Sequence, residues 1–396
     1  MIRMNTSFVQ TQLESLRNQG LYRSLRRVEG DQGPTLLIDG REVIDFCSNN
    51  YLGLANHPAL REAAKAAIDR YGCGSGASRL ISGNMTLHEE LESKIAQLKG
   101  TEAALVFNSG FQANTGVIPV LVGEGDVVLS DALNHASIID GCRLSRARIV
   151  VYKHGDIDEL ERGLKNSLAS SRKLIVTESL FSMDGDEAPL ADIVGVAERH
   201  GAMVMVDEAH ATGVYEPNGA GIIAKLGLGE RVLVQMGTLG KALGGFGAYV
   251  AGGKALRELL INRCRSFIFT TSLPPAVMAM AIAAIDLIEQ EPQRRQVLRH
   301  NCRLLRAGLE SLGFSLGTSR SQILPLMVGD ATRCMKLSED LLQRGVFAQG
   351  IRPPTVPLGT SRLRITLMAT HTPAHIDRAL EVFKEVAREM RFEDRG

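Results

Sequence analysis

The chain contains 396 residues, 44% of them hydrophobic and 22% charged, enough apolar material for one large and one smaller folded unit. A formal net charge of +1 offers no overall attraction to nucleic acid or to an anionic membrane, and neither is expected as a partner. The six cysteines show no CxxC and no metal-ligand spacing, so they read as reduced thiols of a cytoplasmic protein, with no metal site expected.

Residues 8–27 set Leu among Gln, Arg and Asn at helical spacing, with Gly20 interrupting, and predict an amino-terminal arm with one helix. Arg17, Arg23, Arg26 and Arg27 form a local basic patch there, suited to a CoA-like polyanion. No apolar leader core precedes this arm, and no run of eighteen apolar residues follows it. Two short strands are expected over Thr35–Ile38 and Val43–Cys47, around the Asp39-Gly40 turn. Amphipathic spacing predicts helices over His57–Tyr71, stopped by Gly72, and over Thr86–Leu98, opened by a capping box of Thr86 and Glu89. Short apolar runs then recur at Ala104–Phe107, Val127–Leu129, Ile149–Tyr152, Leu174–Val176, Met203–Val206, Leu233–Met236, Ala248–Ala251 and Phe267–Phe269. Helical segments separate many of them, which is the signature of a buried, mainly parallel sheet. A long helix is expected over 276–312, with Pro292 as its breaking point. Strands at Ile323–Val328 and Leu363–Leu367 and helices at Thr332–Arg344 and Pro373–Met390 read as a smaller α+β unit. The expected division is an arm with short strands over 1–48, a large domain over 49–290 and a small domain over 291–396.

Lys241 is the most informative residue. It sits in Gly237-Thr-Leu-Gly-Lys-Ala-Leu-Gly-Gly245 with no other charge within eight residues on either side. A lysine kept among small residues, free of a fixed salt bridge, can form an imine with an aldehyde cofactor. Such a cofactor, pyridoxal 5'-phosphate (PLP), needs a carboxylate at its pyridine nitrogen to stay electron-poor. Asp207 ends the apolar run Met203–Val206 and suits that task. In open α/β sheets ligands sit beyond the carboxyl ends of the strands, and other candidates fall at such ends. Gly110 and Phe111 precede the helical segment Gln112–Leu121, whose free amides would hold a phosphate. His135 could stack on the cofactor ring, Ser182 and His210 could bond its phenolic oxygen, and Thr238 could reach the phosphate. Two other patterns fail. Gly72–Ala77 fits a dinucleotide fingerprint, but a helix rather than a strand precedes it, and Gly237–Lys241 lacks the spacing and following Ser/Thr of a P-loop.

The set Asn49-Asn-Tyr-Leu-Gly-Leu54, Gly74-Ser-Gly-Ala-Ser78, Asn134-His-Ala-Ser137, Phe181-Ser-Met-Asp-Gly-Asp186, Asp207-Glu-Ala-His210, Thr238-Leu-Gly-Lys241 and Thr270-Thr-Ser-Leu-Pro-Pro275 resembles the α-oxoamine synthases over nearly the whole chain. The resemblance implies a PLP-dependent transferase of fold type I: a large domain with a mainly parallel seven-stranded sheet, a small α+β carboxy-terminal domain and an amino-terminal arm. It implies decarboxylative joining of an amino acid to an acyl-CoA or acyl-carrier protein. Lys241, Asp207 and His135 would be the catalytic residues. Gly110, Phe111, Ser182, His210 and Thr238 would hold the cofactor. Arg364 with Asn49 would bind the amino-acid carboxylate, and an arginine fork suits a carboxylate through two parallel hydrogen bonds. Thr355 and Arg23, with Arg26 next in order, would touch the acyl substrate. The active site would lie in a homodimer interface, Thr271 reaching the neighbour's phosphate. The run Ile351-Arg-Pro-Pro-Thr-Val-Pro357, with Gly359–Ile365 and Ser321–Leu326, is similar to members that use alanine and a pimeloyl thioester. Asn49-Asn50 and Asp131–Asn134 also resemble members that use glycine and acetyl-CoA, which is the alternative.

Overall fold

Alternating apolar strands and amphipathic helices assemble around one twisted sheet in the computed structural model, which describes residues 7–168, 171–215 and 218–393. The first six residues and the last three lie outside that description. Seven strands form the sheet: β1 (Ala103–Phe107), β2 (Val127–Asp131), β3 (Arg148–Tyr152), β4 (Lys173–Glu178), β5 (Met203–Asp207), β6 (Val234–Thr238) and β7 (Ala248–Gly252). Their order is β1-β7-β6-β5-β4-β2-β3. Only β7 runs against its neighbours; the remaining pairs are parallel. The carboxyl ends of β1, β2, β4, β5 and β6 therefore share one rim.

The central strands are mostly buried along their length because both faces of the sheet are covered there, whereas the edge strand β3 is largely exposed. Side chains alternate: Val204 and Val206 of β5 enter one apolar cluster, Met205 the other. The helices Gly110–Leu121 and Ala136–Ser145 pack so closely that a Cβ on Gly141 would lie 2.7 Å from the Asn114 carbonyl oxygen. Glycine at 141 thus lets Asn114 sit beside the sheet edge.

In the last third, Ser361–Thr366 lies between Ile323–Gly329 and Gln349–Ile351, antiparallel to both. All six residues of this middle strand are buried. The amino-terminal strands Thr35–Ile38 and Arg41–Asp45 pair with each other, and Arg41–Asp45 runs parallel to Val346–Phe347. That pairing ties the start of the chain to its last third.

Several boundaries differ from the sequence expectation. The arm helix is Ser7–Asn18, ending before Gly20. The second short strand is Arg41–Asp45, two residues earlier than expected. Thr86 and Glu89 form no capping box: Met85 is the cap residue, and His88 Nδ1 accepts its N–H at 3.1 Å. Glu89 instead accepts from Asn84 Nδ2 at 2.9 Å. Phe267–Phe269 is not a strand; Arg265–Ile268 is a single helical turn. There Phe267 covers Phe107 edge-on at 5.8 Å, so packing against β1 outweighs the strand preference of the aromatic run. The long helix divides into Pro275–Gln290 and Gln293–Ser311, with Glu291 and Pro292 between them.

Candidate active site

The rim gathers the strand-end residues. Asp207, the last residue of β5, is buried. Its Oδ1 accepts from the Ala209 N–H at 2.8 Å and its Oδ2 from Asn114 Nδ2 at 2.9 Å. Asn114 also donates to Ser137 Oγ at 2.9 Å, while its own Oδ1 is buried without a partner. The carboxylate is thus fixed in orientation by neutral donors, with its charge not spent on a contacting cation.

Lys241 lies in the turn between β6 and β7, half-buried, and its Nζ makes no hydrogen bond or ion pair among the described residues. Burial lowers its pKa; Asp207 and Glu178 oppose that shift and Arg364 adds to it. A largely desolvated amine without a partner, within the field of an anchored acid, has the chemistry expected of a nucleophile or proton acceptor. Glu178 ends β4 directly opposite Asp207 in register. Burial, then the charge of Asp207, pushes its carboxyl up to about 8. It accepts the His135 N–H at 2.6 Å and so aligns the turn that carries that ring.

His135 caps the helix Ala136–Ser145. Its Nδ1 accepts the Ser137 N–H at 3.2 Å, which leaves Nε2 as the protonated nitrogen of the neutral ring. Burial of the ring lowers its pKa, as does Lys241, while Asp207 opposes them. His210 is buried, its Nδ1 2.7 Å from the Tyr51 hydroxyl. Burial and then the charges of Lys241 and Arg364 hold it well below its usual pKa, so this ring too is neutral.

Gly110 opens the helix Gly110–Leu121, with Ser109 Oγ accepting the Gln112 N–H at 3.2 Å. A Cβ at 110 would lie 2.9 Å from both Met236 Cε and Thr238 Cγ2, so glycine is required for β6 to pass this close. The Gly110 and Phe111 amides remain at the helix start, with the partial positive charge of the helix behind them. Phe111 is exposed, Thr238 half-buried and Thr271 exposed. Thr271 is tied to the same end of β1 through its carbonyl, which accepts from Asn108 Nδ2 at 2.8 Å.

Arg364 reaches this rim from the middle strand of the small sheet. It is buried, and no carboxylate contacts it among the described residues. Its Nε donates to the Ser182 carbonyl at 2.5 Å and Nη2 to Asn49 Oδ1 at 3.0 Å. Nη1 has no protein acceptor among the described residues. A buried guanidinium with no counter-ion calls for an anion from outside the chain. Arg23 Nη2 donates to Thr355 Oγ1 at 3.4 Å, in a cleft of about 350 Å³ also lined by Gln349, the register partner of Arg364. Arg26, the second choice for that contact, is instead paired with Glu339 at 3.0 Å.

Lys241, Asp207, His135, His210, Gly110, Thr238 and Arg364 thus gather at the rim, while Arg23 and Thr355 meet in a separate cleft. Reading the sequence missed Asn114, Glu178 and Tyr51 as site residues. Asn114 carried a usable signal: a polar side chain on the buried face of an otherwise apolar helix. The anchored acid, the unpaired lysine, the flat histidine ring and the helix start fit a flat, phosphorylated pyridine aldehyde. Among the described residues no group of His, Cys, Asp or Glu could hold a metal ion, and no helix is long and apolar enough to cross a membrane.

Residues 41–383 match the model of the family described as aminotransferase class I and II. The 8-amino-7-oxononanoate synthase of Geobacter sulfurreducens is 54% identical over 387 residues, covering 97% of this chain and 99% of that protein. A solved structure of SPT with a PLP internal aldimine superposes with a TM-score of 0.92 at 36% identity, covering 98% of this chain and 99% of that one. The 8-amino-7-oxononanoate synthase of Francisella tularensis superposes with a TM-score of 0.75 at 28% identity, covering 89% and 98%.

Proposed function

The chain belongs to the aminotransferase class I and II family, and from that premise we propose that it is a PLP-dependent acyltransferase of biotin biosynthesis. It condenses L-alanine with a pimeloyl thioester, on CoA or a carrier protein, and releases the thiol and CO2 to give 8-amino-7-oxononanoate. The observation that supports the reading is a buried arginine without a counter-ion whose charge acts on one unpaired lysine. Arg364 is buried without a counter-ion, its charge felt by Lys241, and Arg23 meets Thr355 in a cleft that Gln349, the register partner of Arg364, also lines. Together they suit an amino-acid carboxylate inside and the distal carboxylate of an acyl chain outside.

When bound, PLP supplies an electron sink for negative charge developing at the amino acid's α-carbon. The chain's own residues do the rest. Lys241 would hold the cofactor, and its amine, whose lowered pKa keeps it available, would take the α-proton. Asp207, immobilised by Asn114 and the Ala209 amide, would hold a proton at the cofactor's ring nitrogen. His135 would cover the cofactor, and its Nε2–H would assist at the thioester carbonyl. Ser182 and His210 serve the phenolic oxygen, and Gly110, Phe111 and Thr238 the phosphate. Arg364 with Asn49 orients the amino-acid carboxylate so that the α-carbon bond to be broken is presented to Lys241. Arg23 and Thr355 hold the far end of the acyl chain.

This reading includes a cytoplasmic homodimer in which Thr271 reaches the neighbouring site. The exposure of Phe111, Phe246 and Phe269 (49%, 55% and 70%) supports a covered face. Product analysis tests the substrate pair. Alanine with pimeloyl-CoA should yield 8-amino-7-oxononanoate, and glycine with acetyl-CoA little product. The reverse order of rates would transfer the assignment to glycine C-acetylation.

A further inference from the structure

A second cavity, of about 380 Å³, shares no residue with the rim. Lys225, Arg299, Arg303, Arg306 and Arg320 line it, against one carboxylate, Glu187. Arg299, Arg303 and Arg306 follow one another at four and three residues along the helix Gln293–Ser311, so they share a face. Like charges at that spacing repel. Among the described residues Arg299, Arg303 and Arg320 contact no carboxylate, and Lys225 takes Glu187 at 3.3 Å. Arg306 Nη1 touches Glu310 at 3.4 Å, but its Nη2 is buried with no acceptor. A solvated basic face does not bury an unsatisfied guanidinium nitrogen, because the group forfeits its water there. A concave, low-dielectric wall also concentrates the positive potential.

We propose that this cavity binds a compact anion carrying two phosphoryl groups, either free diphosphate or the diphosphate of a nucleotide. Planar guanidinium forks match phosphoryl oxygens in pairs, and four of them supply enough donors for two phosphoryl groups. The site adjoins the catalytic rim through the protein: Gln322, in its wall, donates to the His210 carbonyl at 2.8 Å, and Ser321 donates to the Gly185 carbonyl at 2.8 Å. An occupied site therefore braces both loops that present His210 and Ser182. The inference stands independently of the acyl substrate.

Calorimetric titration of the PLP-loaded protein at constant ionic strength tests it, since the cofactor then fills its own phosphate cradle. Sodium diphosphate should bind saturably. Arg303→Gln, an exposed helix position that does not threaten folding, and Arg306→Gln should each weaken binding by about tenfold or more, with the visible cofactor absorbance unchanged. ADP run in parallel separates the sources: tighter binding than diphosphate assigns a nucleotide, equal binding a bare diphosphate. The proposal is overturned if neither anion saturates in the millimolar range, if sodium chloride reproduces the heat, or if Arg23→Gln abolishes binding while both cavity variants retain it.

Discussion

Two consecutive acids at the end of β5 point to opposite sides of the sheet, and each has a lysine. On the inner side, Glu208 meets Lys99, the last residue of the helix Thr86–Lys99; both side chains are wholly buried and in contact. Lys99 also donates to the Ala220 carbonyl, and Glu208 Oε1 accepts the Ile222 and Ile223 N–H groups at 2.6 and 3.0 Å. On the rim side, Asp207 faces Lys241 without a contact. Burial is the largest influence on both lysines and lowers both pKa values, yet Lys99 ends up raised because Glu208 and then Tyr249 outweigh it, while Lys241 ends up lowered. A touching carboxylate makes a buried lysine a structural strut. A carboxylate held a short distance away, its orientation fixed by other donors, leaves the lysine reactive.

Exchanging those roles should break the molecule in different ways. Lys241→Ala should remove turnover and the visible cofactor band while leaving the fold intact; loss of its proton transfer alone is worth about 10²–10⁴-fold. Measurable turnover in that variant would show that the amine is elsewhere. Lys99→Met should do the converse, leaving Glu208 buried and unpaired at a cost of about 3–5 kcal/mol in urea unfolding. Adding Glu208→Gln should restore part of that loss; no recovery would mean that the pair is not the source of it. Arg364→Ala should raise the amino-acid KM by roughly tenfold to a hundredfold, from about 1.5–3 kcal/mol of charge-assisted bonding, and Tm should change little.

His154 extends the comparison to a cation held by two carboxylates. Its Nδ1 lies 2.9 Å from Asp131 and its Nε2 2.7 Å from Asp186. Burial lowers its pKa, but hydrogen bonds from Asp131 and Asp186 push it up to about 10. A raised folded-state value stabilises fully below the unfolded value of 6.5 and is lost as pH rises through about 10. The stability gap between the wild type and His154→Gln should therefore be widest in mild acid and close on the alkaline side. A gap constant over that range would contradict the clamp.

Much of the rim was legible along the chain because parallel-sheet chemistry concentrates at strand ends, and a strand announces its end by a switch from apolar to polar residues. Lys241, Asp207, His135 and Gly110 were found in that way. Asn114 and Tyr51 were missed because each acts on a residue distant in sequence, Asn114 on Asp207 and Tyr51 on His210. Glu178 ends a strand, but its elevated pKa arises from burial and then from Asp207 on the neighbouring β5, and no local pattern records that. Phe267–Phe269 misled for a related reason: a strand-like run was recruited as a cover for Phe107.

Local chemistry in the chain specified the sheet, the reactive lysine and the kind of cofactor it serves, since apolar periodicity and an uncharged glycine-rich setting act over a few residues. Long-range packing selected among equivalents. It tied Arg26 to Glu339 and gave Arg23 to Thr355, and it satisfied Lys99 but not Lys241. Burial and the distance to a counter-charge set the behaviour of an ionisable group, and both quantities come into being only when distant segments meet.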